Sequence, residues 1–111
     1  MRFIKITIKL FLTIAFLGFT FSLFALADEI PEVVFEKTFG GSDDEIGQSV
    51  AETTDGGFII TGNTYSFGAG DFDVYLIKTD ASGNKLWQQT FGGSARDYGY
   101  SVKETTDGDF I

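Results

Sequence analysis

Residues 38–59, TFGGSDDEIGQSVAETTDGGFI, return 52 positions later as residues 90–111, TFGGSARDYGYSVKETTDGDFI, with 15 of the 22 aligned positions identical. Self-similarity at a fixed spacing of roughly 20–50 residues marks solenoids, propellers and arrays, in which each unit leans on its neighbours. The second copy stops inside its own pattern, so the chain reads as an incomplete fragment of a longer array.

Within one period every local signal is β. Gly47 to Thr53 is a run of small and β-branched residues. Asp55-Gly56 follows, a hairpin signal because a type I′ turn needs positive φ at both central positions, and it leads into Phe58-Ile59-Ile60-Thr61. A Gly-, Ser- and Asn-rich stretch from Gly62 to Asp71 reads as a loop. Phe72 to Lys78 is dense in aromatic and β-branched residues, Asp80-Ala81-Ser82-Gly83-Asn84 is a second turn, and Lys85 to Phe91 a fourth strand. Helical i, i+3, i+4, i+7 spacing is absent after residue 27.

Phe58-Ile59-Ile60 and Val74-Tyr75-Leu76-Ile77 are apolar on both faces. Such strands must be covered on both sides, which a lone sheet cannot provide and a stack of sheets can. Four antiparallel strands per unit of this length, each sheet sandwiched between neighbours, is the plan of a β-propeller blade. The expected fold is therefore all-β: repeated four-stranded blades, preceded by a signal-peptide helix. Residues 28–38 align with the fourth strand of a repeat, Val34 to Phe39 matching Leu86 to Phe91. Residues 39–91 form the first complete repeat and 92–111 a truncated second. In a closed ring the orphan opening strand is expected to complete the last blade.

The pattern W-x-x-T-F-G-G-S (Trp87–Ser94), S-V-x-x-T-x-D-G-G-F-I-I-x-G (from Ser49) and S-F-G-A-G-D-x-D-V-Y-L-I-K-T-D-x-x-G-N-x-x-W (Ser66–Trp87) resembles tandem β-propeller-like repeats of bacterial and archaeal secreted or cell-surface proteins. Asp80, Gly83 and Trp87 also resemble the turn and closing strand of quinoprotein-type blades, where the Asp-to-Gly spacing is one residue longer. The resemblance covers residues 33–111. It implies an exported, multi-blade protein, and it carries over no catalytic residue. The copies depart from each other at Asp109, where the first has Gly57, and at Phe35, where the second has Trp87.

Residues 1–27 have the three-part form of a secretory signal peptide. Arg2, Lys5 and Lys9 are basic, Leu10 to Phe24 is apolar, and Ala25-Leu26-Ala27 offers a small-x-small cleavage site. Cleavage after Ala27 is expected, with an uncleaved membrane anchor as the alternative; membrane contact would arise only through that segment. The remainder carries all 16 acidic residues against five basic ones. That balance argues against a nucleic-acid partner, whose binding rests on neutralising phosphates. Some 84 residues without a cysteine make a marginal independent core. Residues 28–111 expressed alone are expected to fold poorly or aggregate, further repeats of the same chain being needed for packing.

The chain holds no histidine and no cysteine, which excludes Ser-His-Asp, Cys-His and imidazole-metal chemistry within it. Gly68-Ala69-Gly70 fits no nucleotide fingerprint. It superficially resembles a calcium nonapeptide, but Phe72 stands where that motif needs Asp. No cofactor is expected. Structural calcium is the one ion that the carboxylates Asp43-Asp44-Glu45 and Asp71 with Asp73 would suit, although the second copy replaces the first cluster by Ala95-Arg96-Asp97. Asp71 is expected to bond local backbone amides. Tyr65 and Phe67 sit in the long loop and are the candidate binding residues, suited to an extracellular carbohydrate or protein. The leading expectation is a non-catalytic, exported binding or structural module. The alternative is the propeller portion of a secreted enzyme, a quinoprotein-like oxidoreductase or polysaccharide hydrolase, with its active site outside this chain.

Overall fold

A computed structural model describes residues 2–10 and 32–111. Among them the fold is all-β, with six strands and no helix: β1 (Ile4–Leu10), β2 (Glu32–Phe39), β3 (Glu45–Glu52), β4 (Phe58–Thr64), β5 (Asp73–Thr79) and β6 (Lys85–Phe91). β3 to β6 form one antiparallel sheet in chain order, and β1 pairs with β2 in a second. The four strands expected from the repeat are present, each within two residues of its expected start. β4 runs on through Gly62-Asn63-Thr64, which the sequence placed in a loop.

β1 is an element that the repeat did not foresee. Ile4-Lys5-Ile6-Thr7-Ile8-Lys9-Leu10 alternates apolar and polar residues with the period of a half-buried strand. It is a strand. The apolar stretch from residue 11 on, where the signal-peptide helix was expected, and the cleavage pair Ala25 and Ala27 lie outside the described residues.

The turn after β3 differs too. Asp55 does not have positive φ; only Gly56 does, at 81°. The Gly56 amide donates to the Thr53 carbonyl (2.9 Å) and the Thr53 amide to the Gly57 carbonyl (2.9 Å). That is a type I turn closed by a left-handed glycine, the common three-residue alternative to type I′. Asp80 to Asn84 repeats the device with Gly83 at 79°.

The two central strands, β4 and β5, are covered on both faces of the four-stranded sheet. On one, Ile60, Tyr75 and Ile77 join Ile4 and Phe39 in the buried cluster, with Ile6 and Phe67 packed against it. The other carries Ile59, Thr61 and Asn63, all within 2 % of fully buried. Residues 99–111 lie over that face: Gly99 donates its amide to Asn63 Oδ1 (2.9 Å) and the Phe110 ring lies 5.9 Å from Trp87.

The two coverings are alike. β1 meets β2 with Ile4 opposite Phe39 and Ile8 opposite Phe35, and the register slips after Ile8. β5 meets β6 with Val74 opposite Phe91 and Lys78 opposite Trp87, and slips after Lys78. Phe91 and Trp87 stand 52 positions after Phe39 and Phe35. The rings of Phe35 and Phe58 are 5.7 Å apart, and their 52-residue counterparts Trp87 and Phe110 are 5.9 Å apart. The Glu45 amide donates to the Arg2 carbonyl as the Asp97 amide does to the Phe72 carbonyl. β1 thus stands to β2 and β3 as β5 stands to β6 and the segment after it.

Candidate functional site

The loops between β2 and β3, and between β4 and β5, emerge together at one end of the sheet. Their backbones are tied: the Tyr65 amide donates to the Asp44 carbonyl (2.8 Å) and the Asp43 amide to Ser66 Oγ (2.8 Å). Thr64, fully buried, turns the chain by accepting from the amides of Ser66 and Phe67 at its hydroxyl. The same hydroxyl donates to Glu45 Oε1 (2.9 Å), whose other oxygen accepts from the Gly41 amide (3.1 Å). Glu45 is therefore a buried tie-rod between the two loops, which makes it unavailable to a ligand.

Between these loops lies an open cleft of about 360 Å³ lined by Ser42, Asp43, Asp44, Tyr65 and Phe72. Tyr65 is 46 % exposed and meets Phe72 edge to face, with centroids 4.9 Å apart. Phe67 points the other way, half-buried with its ring 5.4 Å from Tyr75. The two candidate binding residues therefore part: Tyr65 faces the cleft, and Phe67 braces the core. An aromatic face beside carboxylates and a hydroxyl offers apolar contact plus hydrogen-bond acceptors, the pairing that sugars and peptides use. Ser42 and Phe72 went unnoticed in the sequence because only the folded loops bring them to Tyr65.

The Asp43-Asp44-Glu45 run does not act as one cluster, because Glu45 turns inward while Asp43 stays exposed, bonded by the Ser42 hydroxyl. Among the described residues no group of three or more His, Cys, Asp or Glu is arranged to hold a metal. Asp71 accepts from the Phe72 amide (2.9 Å), as a turn residue should, and also from Arg96 Nε (2.9 Å). The Arg96 guanidinium, then the Phe72 amide, hold the Asp71 carboxyl below its ordinary value.

At the opposite end of the sheet Lys78, only 5 % exposed, places Nζ 3.0 Å from Asp55 Oδ2 and 2.8 Å from the Thr79 carbonyl. Asp55 also accepts from the Thr53 hydroxyl (2.5 Å) and the Gly57 amide (2.9 Å). Those two bonds, and then Lys78, hold its carboxyl well below the usual range. Thr105 and Asp107 repeat the hydroxyl-to-carboxylate bond 52 residues on. These bonds close the turn and tie it to β5, and the Thr54 amide and hydroxyl tie it on to Glu104, so this end is architectural.

No protein-family model, curated protein or solved structure matches the chain.

Proposed function

We propose that this chain is a stacking segment of an exported β-propeller-type array, with no catalysis of its own, and that the Tyr65 cleft is its binding face for an extracellular carbohydrate or protein. The observation that carries the reading is the repeated junction. The β1–β2 pair sits on one face of the four-stranded sheet with the register, slip and aromatic pair that recur 52 residues on at the other face. Corresponding interfaces at both faces of a unit are what a stack of blades needs.

Val50 and Val102 support it further. They are the same residue of the repeat, yet Val50 is 46 % exposed and Val102 only 6 %. Val102 lies in a groove with Thr61 of β4 and Val74 of β5. The groove beside Val50 has Ile4 and Ile6 of β1 in the place of Val74 and Leu76, and among the described residues no strand takes the place of β4. The uncovered area is where the first two strands of a preceding blade belong.

Concatemers of residues 40–91 with two to eight copies test the reading. Urea stability should climb with copy number, as nearest-neighbour interfaces accumulate, and level off once a ring closes. Stability independent of copy number would remove the basis for stacking. On the longest stable concatemer, a glycan and peptide array with and without Tyr65→Ala reports on the cleft. Equal signals for both proteins would reject it as the binding face.

A further inference from the structure

Asp73 is the first residue of β5 and is 1 % exposed. Its Oδ2 accepts from the Ala69 amide (2.6 Å), which fixes the loop before it. Its Oδ1 is buried and has no hydrogen-bond partner. Leaving a carboxylate oxygen in that state is costly, because the charge has lost water and gained nothing.

That oxygen points across the junction to the next repeat. A methyl carbon built on Gly92 would collide with Asp73 Oδ1 and lie 2.7 Å from Asp97 Oδ2, so both carboxylates converge beside Gly92. Asp97 is held in place by the Gly93 amide (3.0 Å) and by its own amide's bond to the Phe72 carbonyl (2.7 Å). Two like charges brought together, one of them buried, destabilise the junction unless something positive lies between them. The described cation nearest in sequence, Arg96, spends its Nε on Asp71 instead.

The preceding junction offers a comparison. There Glu45 stands in the place of Asp97, Gly40 in that of Gly92, and Phe3 in that of Asp73. A carbon built on Gly40 would meet Glu45 Oε2 and lie 2.7 Å from Phe3 Cδ1. An apolar ring faces the carboxylate, both oxygens of which are already bonded, and nothing there calls for an ion.

We infer that Asp73 and Asp97 bind a hard divalent cation, Ca²⁺, which pins one repeat to the next. Two carboxylates supply the charge, and the six to eight oxygens that Ca²⁺ takes are completed by water or backbone carbonyls. The inference rests on the stacking reading only in treating 92–97 as the start of the next unit.

The test is thermal unfolding and calorimetric titration of the full 111-residue chain with CaCl₂, MgCl₂ or EDTA. For a site of the extracellular class, with Kd of roughly 10⁻⁴–10⁻³ M, about 5 mM CaCl₂ should raise Tm by roughly 5–10 °C over EDTA. Asp97→Asn and Asp73→Asn should each lose that rise, while Glu52→Gln, outside both the pair and the cleft, keeps it. If Asp73→Asn does not fold, the more exposed Asp97→Asn decides. No Ca²⁺-dependent rise, or a rise that survives both substitutions, overturns the site. Loss of the site with stacking intact would appear as unchanged copy-number dependence in the concatemers, so the two proposals fail separately.

Discussion

Ile59 and Ile60 are neighbours on β4 that point to opposite faces of the sheet, and they are 0 % and 1 % exposed. Truncating either to alanine removes three carbons from a packed site. At about 0.8 kcal/mol per buried methylene the transfer loss is about 2.4 kcal/mol, and the unfilled cavity brings the cost to about 3–4 kcal/mol. In a sheet with one wet face, one of the two would cost almost nothing. Here Ile59→Ala and Ile60→Ala should cost the same to within about 1 kcal/mol. Val50→Ala, at 46 % exposure, should cost about 0.5 kcal/mol or less. The chain has a single tryptophan, Trp87, whose packing on Phe110 makes its emission a native probe of the junction. With a urea m-value of about 1–3 kcal/mol/M, each Ile variant should shift the midpoint down by about 1–4 M. If either isoleucine behaves like Val50, the argument from two-sided burial is wrong.

Gly62→Ala should abolish the β3–β4 pairing, because the new carbon would collide with the Ile46 carbonyl and lie 3.0 Å from Gly47 Cα, backbone that cannot move aside. Gly93→Ala meets nothing within 4 Å and should leave the circular dichroism melt unchanged. Asp55 has a folded-state pKa below its unfolded value, so its contribution is present above about pH 3.9 and is lost as pH falls through the lower folded value. The stability gap between wild type and Asp55→Asn should therefore narrow below about pH 4; a constant gap in acid titration would refute this. Burial, then the Glu45 charge, pushes the Tyr75 phenol up to about 12, and its hydroxyl donates to Gln88 Oε1 (2.7 Å). Its contribution is fully present below about pH 10 and lost as pH rises through the folded value. Ultraviolet titration should show a late phenol that is absent in Tyr75→Phe; persistence of the late component would show the wrong residue had been assigned.

The four strands of the sheet were legible because Phe58–Ile60 and Val74–Ile77 declare two-faced burial without help from distant residues. Gly62-Asn63-Thr64 misled because polar residues and glycine look like loop. They are strand because partners outside the local sequence absorb their polarity: the Gly99 amide for Asn63 Oδ1, Glu45 for the Thr64 hydroxyl. The Asp-Gly turn was placed correctly but given the wrong type, since Asp55 is held by Thr53 and Lys78 in a conformation that leaves Gly56 alone at positive φ. The binding loop was half legible. Tyr65 and Phe67 lie two apart on an irregular segment, and no periodicity tells which one turns inward. Asp73 was paired with Asp71 as a carboxylate suited to calcium, but Asp71 bonds Arg96, and the carboxylate that converges on the free oxygen of Asp73 is Asp97, from beyond β6.

Ile4 to Leu10 is the harder case, since one stretch carries two meanings. As part of a leader it is a basic, apolar start; as a strand it alternates and offers Ile4 to the close approach of Gly47, 3.1 Å from a carbon built there. Cleavage after Ala27 would remove it. Ile60, Tyr75 and Ile77 would then lose Ile4 and Ile6 from their cover, and β2 would lose its only strand partner among the described residues. Whatever replaces β1 must pair with β2 in the register β5 uses with β6, and must set a branched aliphatic over Gly47 as Val74 is set over Gly99. The third strand of a repeat meets both requirements. β1 therefore holds, against β2 and Gly47, the place that β5 holds against β6 and Gly99.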